Sequence, residues 1–142
     1  SCLWAVPVPA GGATLLAGGD TDAAGLLQPT LLGDVRIDMH VACDEVFGPV
    51  VTLARVRDLD EAVTLANGTG YGLQAGIFTS DISTAMRATR LLEFGGVTVN
   101  EAPTYRADQM PYGGVKDSGN TREGPRYAVH EMTEPRLVVI AY

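Results

Sequence analysis

A carboxylate and a phenyl ring stand two residues apart in Asp44-Glu45-Val46-Phe47-Gly48-Pro49. A glutamate such as Glu45 can accept two hydrogen bonds from the vicinal hydroxyls of a ribose. A phenyl ring such as Phe47 can pack on a flat heteroaromatic ring. Gly48 permits a close backbone approach, and Pro49 sets the entry to a following strand. The competing reading is a plain turn, with Phe47 in the core and Glu45 merely solvated. A second segment, Pro111-Tyr112-Gly113-Gly114-Val115-Lys116-Asp117-Ser118-Gly119, is rich in turn formers and predicts a tight loop. Its Tyr112 can equally be a core residue. Between the two segments, the Arg106 fork suits a phosphate, phosphonate or carboxylate, or a local ion pair with Asp108 or Glu101. Asn100 follows an apolar run and is also an ordinary turn residue.

Other chemistry is poorly supplied. His40 and His130 are isolated in sequence, and neither has ligand spacing or a cysteine partner, so no metal site is expected. Cys2 and Cys43 are too few for a disulfide framework, which points to a reducing, cytoplasmic setting. Cys43 reads as a small buried hydrophobe. The net charge of -7 argues against a nucleic-acid surface. No apolar stretch reaches membrane-spanning length, and Leu3 to Val8 lacks the positive flank of a signal peptide.

These groups need a scaffold, and the sequence predicts one. The 142 residues, 46% hydrophobic, suit a single compact domain with a real core. Extended segments are predicted at Thr14 to Ala17, Leu27 to Val35, Pro49 to Val56 (a buried strand), Gln74 to Thr79, Val97 to Asn100 and Arg136 to Tyr142. A helix follows Asp58, which caps it with Glu61 reaching back, and ends on left-handed backbone at Asn67-Gly68. Its face is Leu59, Ala62, Val63 and Ala66. A second helix runs from Ser80 or Asp81 to about Leu92, with a stripe of Ile82, Ala85, Met86 and Thr89. A third spans Arg122 to Met132 despite Pro125. The alternation gives α/β architecture, a mostly parallel sheet with flanking helices. Residues 101–120 form a loop long enough to be functional.

The two quoted motifs, in register, resemble the aldehyde dehydrogenase superfamily over about Ala13 to Val139. The segment Asn100 to Met110 is similar to the subgroup acting on lactaldehyde, phosphonoacetaldehyde or glyceraldehyde 3-phosphate. The resemblance implies that Glu45 holds the nicotinamide ribose and Phe47 the ring. It also implies that Tyr112 and Arg106 line the substrate tunnel, with Asn100 on its inner wall near the reacting carbonyl. The family oxidises an aldehyde to an acid with NAD or NADP. Its nucleophilic cysteine, general-base glutamate and Gly-rich coenzyme loop lie upstream of the matched region. No catalytic residue is therefore assigned, Cys43 included.

The chain is expected to be a C-terminal portion, inactive alone and a weak binder of coenzyme. Its expected layout is a poorly matching segment over 1–12, a partial catalytic domain over 13–134 and an oligomerisation strand over 135–142. Expected partners are the missing N-terminal part, further copies of the chain and a small-molecule aldehyde. A non-catalytic interaction module and one half of a natural split enzyme are the alternative readings.

Overall fold

Most of the predicted elements form, but in two units rather than one domain. The structure, a computed structural model, describes residues 12–142 and divides into Ser1–Thr69 and Gly70–Tyr142. The expectations for 1–11 lie outside the described residues.

In the first unit, β1 (Thr14–Ala17), β2 (Thr30–Gly33) and β3 (Val50–Leu53) make a sheet in the order β1-β2-β3. β1 runs antiparallel to β2. The chain leaves β1 through Gly18, at φ 71°, where a Cβ would lie 2.0 Å from the Pro29 carbonyl oxygen. Only glycine fits both conditions. β2 and β3 are parallel, with Thr30 opposite Val50 and Gly33 opposite Leu53. As the central strand, β2 buries Thr30, Leu32 and Gly33. The Thr30 hydroxyl donates to the Gln28 carbonyl and accepts from the Gly19 N–H, so its burial leaves nothing unpaired. β3 is not the buried strand that its β-branched run predicts: Val51 is 62% exposed. Such runs specify an extended backbone more firmly than they specify a cover.

A one-turn helix not foreseen from the sequence, α1 (His40–Cys43), lies between β2 and β3. Beyond β3, Asp58 caps α2 (Leu59–Asn67) by accepting from the Glu61 N–H at 2.9 Å. Glu61 reaches back one residue further than a capping box requires, to the N–H and Nε of Arg57. The predicted face of Leu59, Ala62, Val63 and Ala66 is half-buried. The left-handed ending at Asn67-Gly68 does not occur. Gly68 has φ -71°, and its N–H bonds to the Leu65 carbonyl, tightening the last turn instead.

In the second unit, β4 (Tyr71–Gly72) leads into β5 (Gln74–Ile77), α3 (Ile82–Leu91) and β6 (Gly96–Val99). β5 and β6 are parallel, with Gln74 opposite Gly96 and Ile77 opposite Val99. α3 thus forms the crossover of a β-α-β unit. Its buried residues are Ala85 and Ala88, whereas Ile82 and Met86 of the predicted stripe are exposed. β7 (Val115–Lys116) pairs antiparallel with β4 inside what the sequence reads as loop. α4 (Pro125–Met132) begins on Pro125, where the missing N–H costs nothing. Residues 133–142 form no strand among the described residues, and Leu137 is 88% exposed.

The α/β class therefore holds, and both four-residue crossover ladders are parallel. The large core does not. Among the described residues only Leu32, Met39, Ala85 and Ala88 are buried hydrophobics. No described helix is long and apolar enough to cross a membrane.

The α3 cap makes a pH prediction. Bonds from the Thr84 hydroxyl, then from the N–H groups of Thr84 and Ser83, hold the Asp81 carboxyl below its ordinary range. Because the folded value is depressed, this contribution is complete above the ordinary aspartate pKa and is lost as pH falls through the folded one. The Ser83 and Thr84 amide resonances should titrate with a midpoint below 3.8, the ordinary value. A midpoint at or above it would contradict the cap.

Candidate functional site

The Glu45–Phe47 loop is held at both ends. On its N-terminal side, the buried Met39 anchors α1, its carbonyl accepting from the N–H groups of Ala42 and Cys43. The Asp44 N–H closes the turn on the His40 carbonyl at 2.8 Å. On the C-terminal side, Gly48 N–H bonds to Val46 and Val50 N–H bonds to Gly48, two successive tight turns. The Pro49 carbonyl accepts from Thr30 N–H at 2.8 Å, which ties the loop to β2. Val46 is half-buried, while Glu45 is exposed and Phe47 is 93% exposed. The reading of Phe47 as core is thereby excluded. Gly48 is not under steric pressure within this unit: a Cβ there would meet only Leu27, at 3.9 Å.

In the second unit, Tyr112 and Arg106 come together and Glu123 joins them. Tyr112 bridges to Glu123 across the loop, with Glu123 N–H donating to the Tyr112 carbonyl at 2.6 Å. The Glu123 carboxylate pairs with Arg106 at 2.5 Å. The Arg106 guanidinium sits 4.7 Å over the centre of the Tyr112 ring, a cation–π distance. Arg106 thus has an ion-pair partner within its own loop region, but it is Glu123 rather than Asp108 or Glu101, the two considered from sequence. Glu123 lies 17 residues away, and nothing local to either residue signals the contact.

Close backbone packing holds this cluster. A Cβ on Gly95 would fall 1.7 Å from the Gly113 carbonyl oxygen, and one on Gly113 would fall 2.1 Å from that of Thr121. Arg122 donates to the Gly114 and Thr121 carbonyls, and Ser118 Oγ accepts from the Gly72 N–H. Asn100 stands apart, at the end of β6. It adopts φ 57°, and its amide both accepts from the Thr79 N–H and donates to the Thr79 carbonyl. It is the left-handed turn residue that also clamps the end of β5.

His40 is not isolated. On α1 its ring nitrogen lies 2.7 Å from Asp44 Oδ2, and Cys43 lies on the same turn. The i, i+3, i+4 spacing of these residues was the available signal, and it becomes visible only once the segment is known to be helical.

The sequence profile of the aldehyde dehydrogenase family matches residues 8–138, and the chain belongs to that family. It is 52% identical to 3-sulfolactaldehyde dehydrogenase of Priestia aryabhattai over 129 residues, covering 91% of this chain and 27% of that protein. It is 46% identical to lactaldehyde dehydrogenase of Methanococcus maripaludis with the same coverage. Among solved structures, aldehyde dehydrogenase 21 of Physcomitrella patens, in complex with the reaction product succinate, superposes with a TM-score of 0.82. That match is 46% identical, over 87% of this chain and 25% of that one. Glyceraldehyde-3-phosphate dehydrogenase GapN of Methanocaldococcus jannaschii, complexed with NADP, superposes with a TM-score of 0.78 at 43% identity. That match covers 85% of this chain and 26% of that one. The chain spans about a quarter of the length of these relatives.

Two stability predictions follow from the loop. Gly95→Ala forces a methyl into backbone and should lower stability by about 1–3 kcal/mol in urea unfolding; an unchanged midpoint would refute the close approach. The Arg106–Glu123 pair is about half exposed on both sides. A double-mutant cycle on Arg106→Ala and Glu123→Ala should give a coupling of no more than about 1 kcal/mol. A substantially larger value would mean that the guanidinium is committed to Glu123.

Proposed function

We propose that this chain supplies the nicotinamide-ribose clamp and the substrate-tunnel loop of an NAD(P)-dependent aldehyde dehydrogenase, and that it does not turn over alone. The observation that carries this reading is Phe47: an aromatic ring 93% exposed beside an exposed carboxylate, in a loop fixed at both ends. Water is a poor environment for a phenyl face, and a flat heteroaromatic ring is a good one. Glu45 and Phe47 thus fit a nicotinamide riboside in chemistry and in availability. When bound, the coenzyme supplies the two-electron oxidising power. Glu45 would accept hydrogen bonds from the ribose hydroxyls, and Phe47 would pack on the nicotinamide ring. Tyr112 would form an aromatic wall of the tunnel, and Asn100 would shape its inner wall near the reacting carbonyl.

Arg106 reads the substrate. Its pair with Glu123 is solvent-exposed and exchangeable, so an anionic group on an aldehyde can take Glu123's place on the fork. Relatives named for 3-sulfolactaldehyde and for glyceraldehyde 3-phosphate, and one complexed with succinate, handle small molecules bearing an anion. A short aldehyde carrying a sulfonate, phosphate or carboxylate is the substrate class proposed here.

The thiolate and the water-activating carboxylate of the reaction come from an N-terminal part in this reading. The exposed apolar side chains support such a partner, Phe78 and Ile82 among them at 71% each. Leu137, Val139 and Ile140 favour a second contact, in which residues 135–142 add a strand to another copy's sheet.

The test uses the chain alone and the chain grafted as the C-terminal part of a relative. Alone, with NAD or NADP and a panel of aldehydes, it should give no turnover. In the graft, Arg106→Ala should lower kcat/KM for an anionic aldehyde about 10- to 100-fold while sparing a neutral one of equal length. Turnover by the isolated chain, or equal losses on both aldehydes, would overturn the proposal.

A further inference from the structure

One cluster lies outside everything assigned above. α1 and its C-cap gather an imidazole, a thiol and a carboxylate: His40, Cys43 and Asp44, whose ligand atoms all lie within 4.8 Å of one another. His40 Nδ1 is 2.7 Å from Asp44 Oδ2. Cys43 is exposed and unbridged rather than the buried hydrophobe expected from the sequence, and its Sγ rests 3.3 Å from the Met39 carbonyl. The His40 and Asp44 side chains are 85% and 56% accessible, so water reaches the same space.

We propose that His40, Cys43 and Asp44 form a site for one thiophilic divalent cation of the zinc class, with water completing a tetrahedral shell. The donor set decides the class. A thiolate with an imidazole favours zinc or cobalt, whereas magnesium and calcium take all-oxygen shells. Bonds of about 2.0–2.3 Å at tetrahedral angles place ligand atoms about 3.3–3.8 Å apart. The observed spread is within about 1 Å of that, a shift the exposed rotamers can make. Binding forms Sγ–metal, N–metal and O–metal bonds. It releases the thiol proton, since the thiolate is the ligand. Three protein ligands and one water make an open, exchangeable site rather than a folding staple. The helical turn supplies the pre-organisation, because residues three and four apart share one face.

The experiment uses the 142-residue chain carrying Cys2→Ser, which leaves Cys43 as its single thiol. It is stripped with chelator and titrated with cobalt(II). The expected result is one equivalent bound, a thiolate-to-cobalt charge-transfer band, tetrahedral d–d bands, and bleaching of both by one equivalent of zinc. Cys43→Ser should abolish the charge-transfer band. His40→Gln and Asp44→Asn, both at exposed positions, should each weaken cobalt binding by at least about tenfold, the lower end of the loss seen when even an outer-shell partner is removed. Circular dichroism checks that each variant keeps its fold. Two results would each overturn the site: no charge-transfer band at millimolar cobalt, or a band whose affinity is the same in His40→Gln and Asp44→Asn, which would reveal a lone thiolate.

Discussion

Backbone packed directly against backbone at Gly95 and Gly113 is the constraint on which the second unit depends. Neither position tolerates a Cβ, and Gly114 would drive one into Ser118 at 2.5 Å. With side chains absent there, the segment after Tyr112 lies flush on the chain entering β6. Gly95 N–H reaches the Gly72 carbonyl and Gly96 N–H reaches that of Leu73. The β4–β7 pairing, the Ser118 hydroxyl and the Arg122 fork then fix the loop from three sides. Tyr112 inherits its position from that backbone, and Arg106 inherits its own from the Tyr112 ring and Glu123. A loop of this length stays ordered because its backbone groups find partners on β4, on Gly70 and within its own turns.

What the sequence revealed follows the range of the interactions involved. The Asp58 and Asp81 caps were legible because a carboxylate meets N–H groups two or three residues on. The parallel ladders were legible as strand, helix, strand. Both motif loops were legible because their composition is unusual. The misses are contacts whose partners are distant or whose meaning depends on a neighbouring element. β7 pairs with a strand more than forty residues earlier. Glu123 finds Arg106 through the shape of the loop. His40, Cys43 and Asp44 form a group only after α1 forms. The exposed faces of β3 and α3 misled for a related reason. Apolar periodicity states which side seeks cover, but this chain alone does not supply that cover for Val51, Ile82 or Met86.

That last mismatch carries physical weight. A chain that is 46% hydrophobic yet buries four large or small apolar side chains among its described residues leaves much hydrophobic driving force unspent. The local geometry does not suffer, since caps, ladders and glycine contacts are satisfied within each unit. Order at the level of elements and cover at the level of the whole are thus encoded separately. The first is set by short-range hydrogen bonds, and the second is not supplied by this chain for Phe78 and Leu137.

The same separation would govern the recognition proposed for Arg106. In water, a unit charge pair at contact is worth about 1 kcal/mol, and near a partly covered protein surface about 4 kcal/mol. An exposed Glu123 therefore holds the guanidinium in place without holding it tightly. Under cover, the fork faces a harsher choice, because an unpaired charge is costly there and a well-matched oxyanion satisfies more of its five donors than one glutamate contact does. Selectivity for an anionic aldehyde would then arise from the covering surface acting on a pre-aimed side chain. Stacking on Tyr112 supplies the aim, since it restricts a flexible side chain before any ligand arrives and leaves less disorder to remove on binding.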